Sequence, residues 1–148
     1  MIRFGLFFLT LMLGYSSFGQ TKDYFDKDIV NAQRKTVAGV VYGLKINKID
    51  LILQFFEDGI DGLESKLQQS VLEIDKFQES TTLTDIVSYD EGSHVFSCKY
   101  FDDERARFQI DLYLKSDDLN SKIIGFVIKK DEELKEEYDS RMNASKIP

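Results

Sequence analysis

His94 and Cys98 are the only histidine and the only cysteine of the chain, and chemistry is sought there first. On a strand, residues four apart point to the same face. Their backbones then stand about 13 Å apart by the strand rise, too far to share a metal. No second histidine or cysteine completes a nucleophile-base pair or a zinc site. His94 is therefore expected at a surface or a strand edge. Cys98 alternates with Phe96 and Tyr100, so it is expected to be a buried small hydrophobe, with no base or cation beside it to activate the thiol.

Acids offer the other chemistry. Glu57, Asp58, Asp61 and Glu64 crowd around Gly59 and Gly62, and hard cations take several carboxylate oxygens. A helix-loop-helix calcium site, however, places acids at alternating positions before its glycine. The spacing here does not, and solvated charges at helix ends are expected instead. Among 26 acidic residues no pair stands out for general acid-base work. Asn143-Ala144-Ser145 fits a eukaryotic glycosylation acceptor, but the style of the chain's first residues is bacterial. No catalytic, metal-binding or cofactor-binding residue is assigned, and no cofactor is expected.

The elements that would position any site begin after a segment of different character. Arg3 precedes an apolar run from Phe4 to Leu13 and a small-residue stretch from Gly14 to Gly19. These are the three parts of a secretory signal, with the cut expected between Gly19 and Gln20. A spanning helix needs about 20 apolar residues, and Ser16, Ser17, Gln20 and Lys22 interrupt the run first. With Cys98 the only cysteine, no lipid can be attached at the cut. The expected organisation is a signal over 1–19, one domain over 20–130 and an acidic, partly disordered tail over 131–148.

Removing Arg3 from 19 basic residues leaves 18 against 26 acidic ones, a net charge of −8. Such a domain is repelled by nucleic acid and by anionic membranes, and attracted to basic partners. No nucleic-acid binding and no membrane insertion after signal cleavage are expected. Its length suffices for a core without disulfide staples.

Hydrophobic periodicity changes once along the mature chain. Phe25, Ile29, Val37, Val40, Val41 and Leu44 follow a helical stripe, and a short helix over 48–57 carries Ile49, Ile52, Leu53 and Phe56. A third helix carries Leu63, Leu67, Val71, Ile74 and Phe77. From Thr82 the period becomes two. Strands are predicted over 83–89, 94–101, 105–115 and 122–130, the last with Ile124, Phe126 and Ile128 on its core face. Short connections make the strands an antiparallel meander. A sheet apolar on one face needs cover, so the fold class is α+β, with the amino-terminal helices packed on the four-stranded sheet.

This order of elements, with the closing segment Lys122-Ile123-Ile124-Gly125-Phe126-Val127-Ile128, resembles small exported bacterial members of the nuclear transport factor 2-like superfamily, many of them without assigned function. The resemblance spans about residues 22–130. It implies a curved sheet wrapped around a long helix as a cone, with aromatics able to line a pocket. Tyr100, Phe108, Tyr113 and Phe126 are the candidate pocket or contact residues. It also implies pairing through the sheet, with Arg107, Gln109, Asp111 and Tyr113 as a homodimer contact.

The expected function is that of an exported, periplasmic or secreted, non-enzymatic binding module for a small ligand or a protein partner. A second reading, from size, export and charge, is a periplasmic immunity or inhibitor protein that masks a basic toxin or enzyme. A third is a cone-fold enzyme working through Asp or Tyr residues.

Overall fold

The computed structural model describes residues 24–77, 81–102 and 105–146. The expected signal peptide and its cut lie outside these residues. Four α-helices and one four-stranded antiparallel sheet make up an α+β arrangement: α1 (Lys27–Lys45), α2 (Ile49–Ile52) continued by a 3-10 turn (Leu53–Phe55), α3 (Leu63–Asp75), β1 (Thr82–Asp90), β2 (Ser93–Asp102), β3 (Arg105–Lys115), β4 (Ile123–Lys129) and α4 (Asp131–Ala144). The strands pair in chain order as a meander, and no helix among the described residues is long and apolar enough to cross a membrane.

Asp26 starts α1 by accepting the amide hydrogens of Asp28 and Ile29, which otherwise lack partners at a helix start. The helix then buries Val30, Val37, Val40 and Leu44 against Phe96, Cys98, Tyr100, Phe108, Ile110, Leu112 and Leu114 of the central strands. Gly43 lies where α2 crosses α1, and a methyl group there would overlap Ile52 Cγ2. Beyond α2, Phe56 bridges in parallel to Ile123, where the Glu57 amide donates to the Ile123 carbonyl over 2.9 Å. This contact ties the helical half to the start of β4.

Two irregularities set which side chains face inward. Between Tyr113 and Leu114 the β3–β4 register slips, pairing Leu114 with Ile123 and Tyr113 with Gly125. Ile124 is therefore the extra residue of a bulge. Ile123, not Ile124, is buried beside Phe126, which corrects the expected core face at the start of β4. A second slip separates Leu83 from Ile86 on the edge strand β1. The β1–β2 turn has two residues, Glu91 and Gly92, both with positive φ (42° and 87°), as a tight hairpin with native twist requires.

Within the expected acidic tail, Asp131–Ala144 form the helix α4. Its first-turn carboxylate Asp131 accepts from Arg105 at 2.6 Å and from Arg107 at 3.3 Å. Lys129 holds Glu137 at 2.8 Å, and Leu134 is buried. The acids of this segment thus have cations waiting on β3 and β4. They place α4 on the sheet face opposite α1.

Overpacking a well-filled core costs about 1–3 kcal/mol. Gly43→Ala should lower stability by that amount in chemical denaturation. Combined with Ile52→Ala, which makes room for the new methyl, it should cost less than the two changes summed.

Candidate functional site

The helix-facing side of the sheet carries His94, Phe96, Cys98 and Tyr100 from β2, all of them buried. His94 is not at an edge, since β2 lies between β1 and β3. Its Nδ1 stands 2.7 Å from Gln33 Oε1 and its Nε2 2.6 Å from the Tyr24 carbonyl oxygen. The Gln33 amide nitrogen donates to the Lys115 carbonyl at 2.8 Å, to Ser121 Oγ at 3.0 Å and, longer, to the Asp118 carbonyl at 3.4 Å. Carbonyl oxygens only accept, so the amide can point only one way. Gln33 Oε1 and the Tyr24 carbonyl oxygen, both acceptors, thus face the two ring nitrogens. The ring also stacks on Phe25 at 5.5 Å. The surface position expected for His94 is thus corrected. The sequence signal that was missed is Gln33, a polar residue in the middle of the apolar stripe from Ile29 to Val37.

Cys98 is buried as expected. Burial, and secondarily the charge of Asp111, raise its pKa from 9.0 to about 12, so the thiol stays neutral and unreactive.

The four candidate pocket residues have different surroundings. Phe108 packs against Tyr100 at 5.8 Å, and Phe126 meets Phe56 edge-to-face at 5.8 Å. Phe108 and Phe126 are core. Tyr113 lies on the opposite face of the sheet, beside Gly125, whose missing side chain would come within 3.2–3.3 Å of it. Tyr100 lines a cleft. The homodimer face is also divided, because α4 approaches its Arg107 end and Gln109 is buried.

That cleft, of about 510 Å³, opens between the last turns of α1 and α3 and the start of the sheet. Val41, Leu44, Val71, Ile74 and Phe77 form its apolar walls, Tyr100 and Thr82 add hydroxyls, and Lys45, Asn47 and Asp75 also line it. Tyr100 is only 3% exposed, and its Oη has no hydrogen-bond partner among the described residues. Burial raises the phenol's pKa, and neighbouring Cys98 adds to the rise. The Thr82 hydroxyl is near enough to temper this shift, without the alignment of a hydrogen bond. Thr82 and Tyr100 share the cleft wall, and the phenol oxygen itself is shielded from water. The helical stripes predicted the apolar wall residues as core. Nothing in their period shows that α1 and α3 diverge past the sheet's cover.

Glu57, Asp58 and Asp61 lie in the connection between the 3-10 turn and α3, whose Gly59 and Gly62 have positive φ. Among the described residues no three His, Cys, Asp or Glu side chains gather as a metal site would need. No protein-family model matches the chain, and no curated protein or solved structure shows detectable similarity to it.

Two outcomes follow from the buried polar groups. Gln33→Leu removes the partner of His94 and of the Lys115 carbonyl, and should cost about 1–3 kcal/mol in denaturant titrations. A thiol reagent at pH 8 should leave Cys98 unmodified until denaturant is added. The unfolded thiol ionises near 9.0 and the folded one near 12. Its stabilising contribution is therefore complete below pH 9 and is lost as pH rises toward 12. Cys98→Ala should flatten the pH dependence of stability in that window.

Proposed function

We propose that this chain is an exported binding module that takes a small, mostly apolar molecule with one hydrogen-bond acceptor into the cleft beside Tyr100. The observation that carries this reading is the buried Tyr100 hydroxyl, without a hydrogen-bond partner among the described residues, on a residue that lines the cleft. A buried polar group without a partner costs stability, and native structures hold few of them. A ligand acceptor at this point would supply the missing bond. The phenol, held neutral by its raised pKa, would act as the donor.

Size fits the same reading. Small-molecule sites have about 300–1,000 Å³, and this cleft has about 510 Å³, with polar and apolar walls in similar measure. The polar side chains of Lys45, Asn47 and Asp75 suit an occupant with a wetter outer end. Export is proposed on the charged, apolar and small-residue sequence of positions 1–19, with the periplasm or the outside of the cell as the place of work. Kinship with the nuclear transport factor 2-like superfamily is proposed on the order of helices and meander, and a pocket between helix and sheet suits that kinship.

The naphthalene ketone prodan offers an apolar body with one carbonyl acceptor, and its emission reports hydrogen bonding. Titration should show saturable binding. Val71→Trp, which fills the cleft, should abolish it. Tyr100→Phe should weaken it about fivefold, the worth of roughly one neutral hydrogen bond, with a blue shift of the bound emission. Binding that is indifferent to both substitutions would refute the site.

A further inference from the structure

The outer face of the sheet is only partly covered. α4 lies over the end that carries Arg105, Gln109 and Lys129, while the rest carries two cross-strand rows free of any described element. One row is Ile86, Ser97, Asp111 and Val127; the other is Ser88, Val95, Tyr113 and Gly125. Ile86 and Val127 are 43% and 42% exposed, whereas Asp111 between them is 6% exposed.

Asp111 is a mostly buried carboxylate with no cation in ion-pair contact among the described residues, although the Lys129 ammonium acts on it through space. Ser97 Oγ donates to its Oδ1 at 2.7 Å and Gln109 Nε2 donates to the same oxygen at 2.8 Å. Among the described residues, Oδ2 receives no hydrogen bond and no Lys or Arg forms an ion pair with Asp111. Lys129, on the neighbouring strand, directs its ammonium to Glu137. Oδ2 is not shut off from water, so an incoming guanidinium can reach it. Beside Asp111, Tyr113 presents an aromatic ring held next to Gly125. Burial, Asp111 and Asp90 raise the Tyr113 pKa while Lys129 opposes them, so the field at this ring is negative on balance.

We propose that the uncovered half of the outer sheet face, centred on Asp111 and Tyr113, is a docking surface for an arginine side chain presented by a basic protein partner. A guanidinium can stack on an aromatic ring while its N–H groups bond a carboxylate. The apolar margin of Ile86, Val95 and Val127 would exclude water around that pair, as the surround of an interface hot spot does. The chain's net charge of −7 favours encounter with a cationic protein. A second copy of this chain suits the face less well, because a two-fold contact centred there would bring two unpaired carboxylates together. The surface is independent of the Tyr100 cleft, which lies on the other side of the sheet.

The test is an amide NMR titration of the full chain with the blocked peptide acetyl-Ala-Arg-Leu-Arg-Ala-amide and with the same peptide carrying citrulline for arginine. The arginine peptide should shift the amides of Ser97, Asp111, Tyr113 and Val127, and the citrulline peptide should bind at least tenfold more weakly. Val127→Lys changes an exposed residue and places a cation opposite Asp111. It should raise the melting temperature and abolish the shifts at this face. Asp111→Asn should abolish them as well. Shifts confined to the acids of α4, equal binding of the citrulline peptide, or unchanged binding by Val127→Lys would overturn the proposal. So would sedimentation showing that the free chain self-associates through this face.

Discussion

A single buried amide fixes where the long helix lies on the sheet. Gln33 reaches β2 through His94, the end of β3 through the Lys115 carbonyl, and the β3–β4 connection through Asp118 and Ser121. Apolar contacts alone let a helix slide or rotate by fractions of a turn at little cost, whereas hydrogen bonds buried in low dielectric do not. His94 extends the restraint to the Tyr24 carbonyl, so the residues leading into α1 are drawn onto the same node. The position of Leu44 and Val41, and with it the width of the cleft beside Tyr100, follows from this anchoring near the other end of the helix.

The two faces of the sheet are built from opposite chemistry. Toward α1 and α3 the strands present Phe96, Phe108, Ile110, Leu112, Leu114 and Phe126, an interior that excludes water. Away from them, Arg105, Arg107 and Lys129 engage α4 through Asp131 and Glu137. Burial works against the charged form of Asp131, but the two arginines outweigh it and lower its pKa. Ion pairs this exposed are worth little singly, and here they act with one apolar anchor, Leu134. The acidic helix therefore holds its place by several small contributions, unlike α1.

Much of this was legible in the residue pattern. The alternation of Ala106, Phe108, Ile110, Leu112 and Leu114 gave β3 its bounds, and the three-and-four spacing of Leu67, Val71 and Ile74 gave α3. What was not legible depends on partners distant in sequence. Gln33 looks like a gap in a stripe until His94, 61 residues on, is brought to it. Ile124 looks inward-facing until the bulge opposite Tyr113 shifts the count by one. The acids of 131–137 look like a solvated tail until the cations of β3 and β4 are set beneath them. Of the four aromatics picked from the cone resemblance, Tyr100 lines a cleft whereas Phe108 and Phe126 are core. Core and cavity lining have the same composition, and they differ only in how far neighbouring helices close over them.

The rims of the meander show how an antiparallel sheet with two free margins can stay dispersed. Along β4, the strand's first residue is already engaged by Phe56 and Glu57, so a newcomer finds no clean row of amides there. Along β1, the slip between Leu83 and Ile86 breaks the regular spacing that a foreign strand would need. A chain whose margins reject strand addition by geometry is suited to persist without forming fibrils.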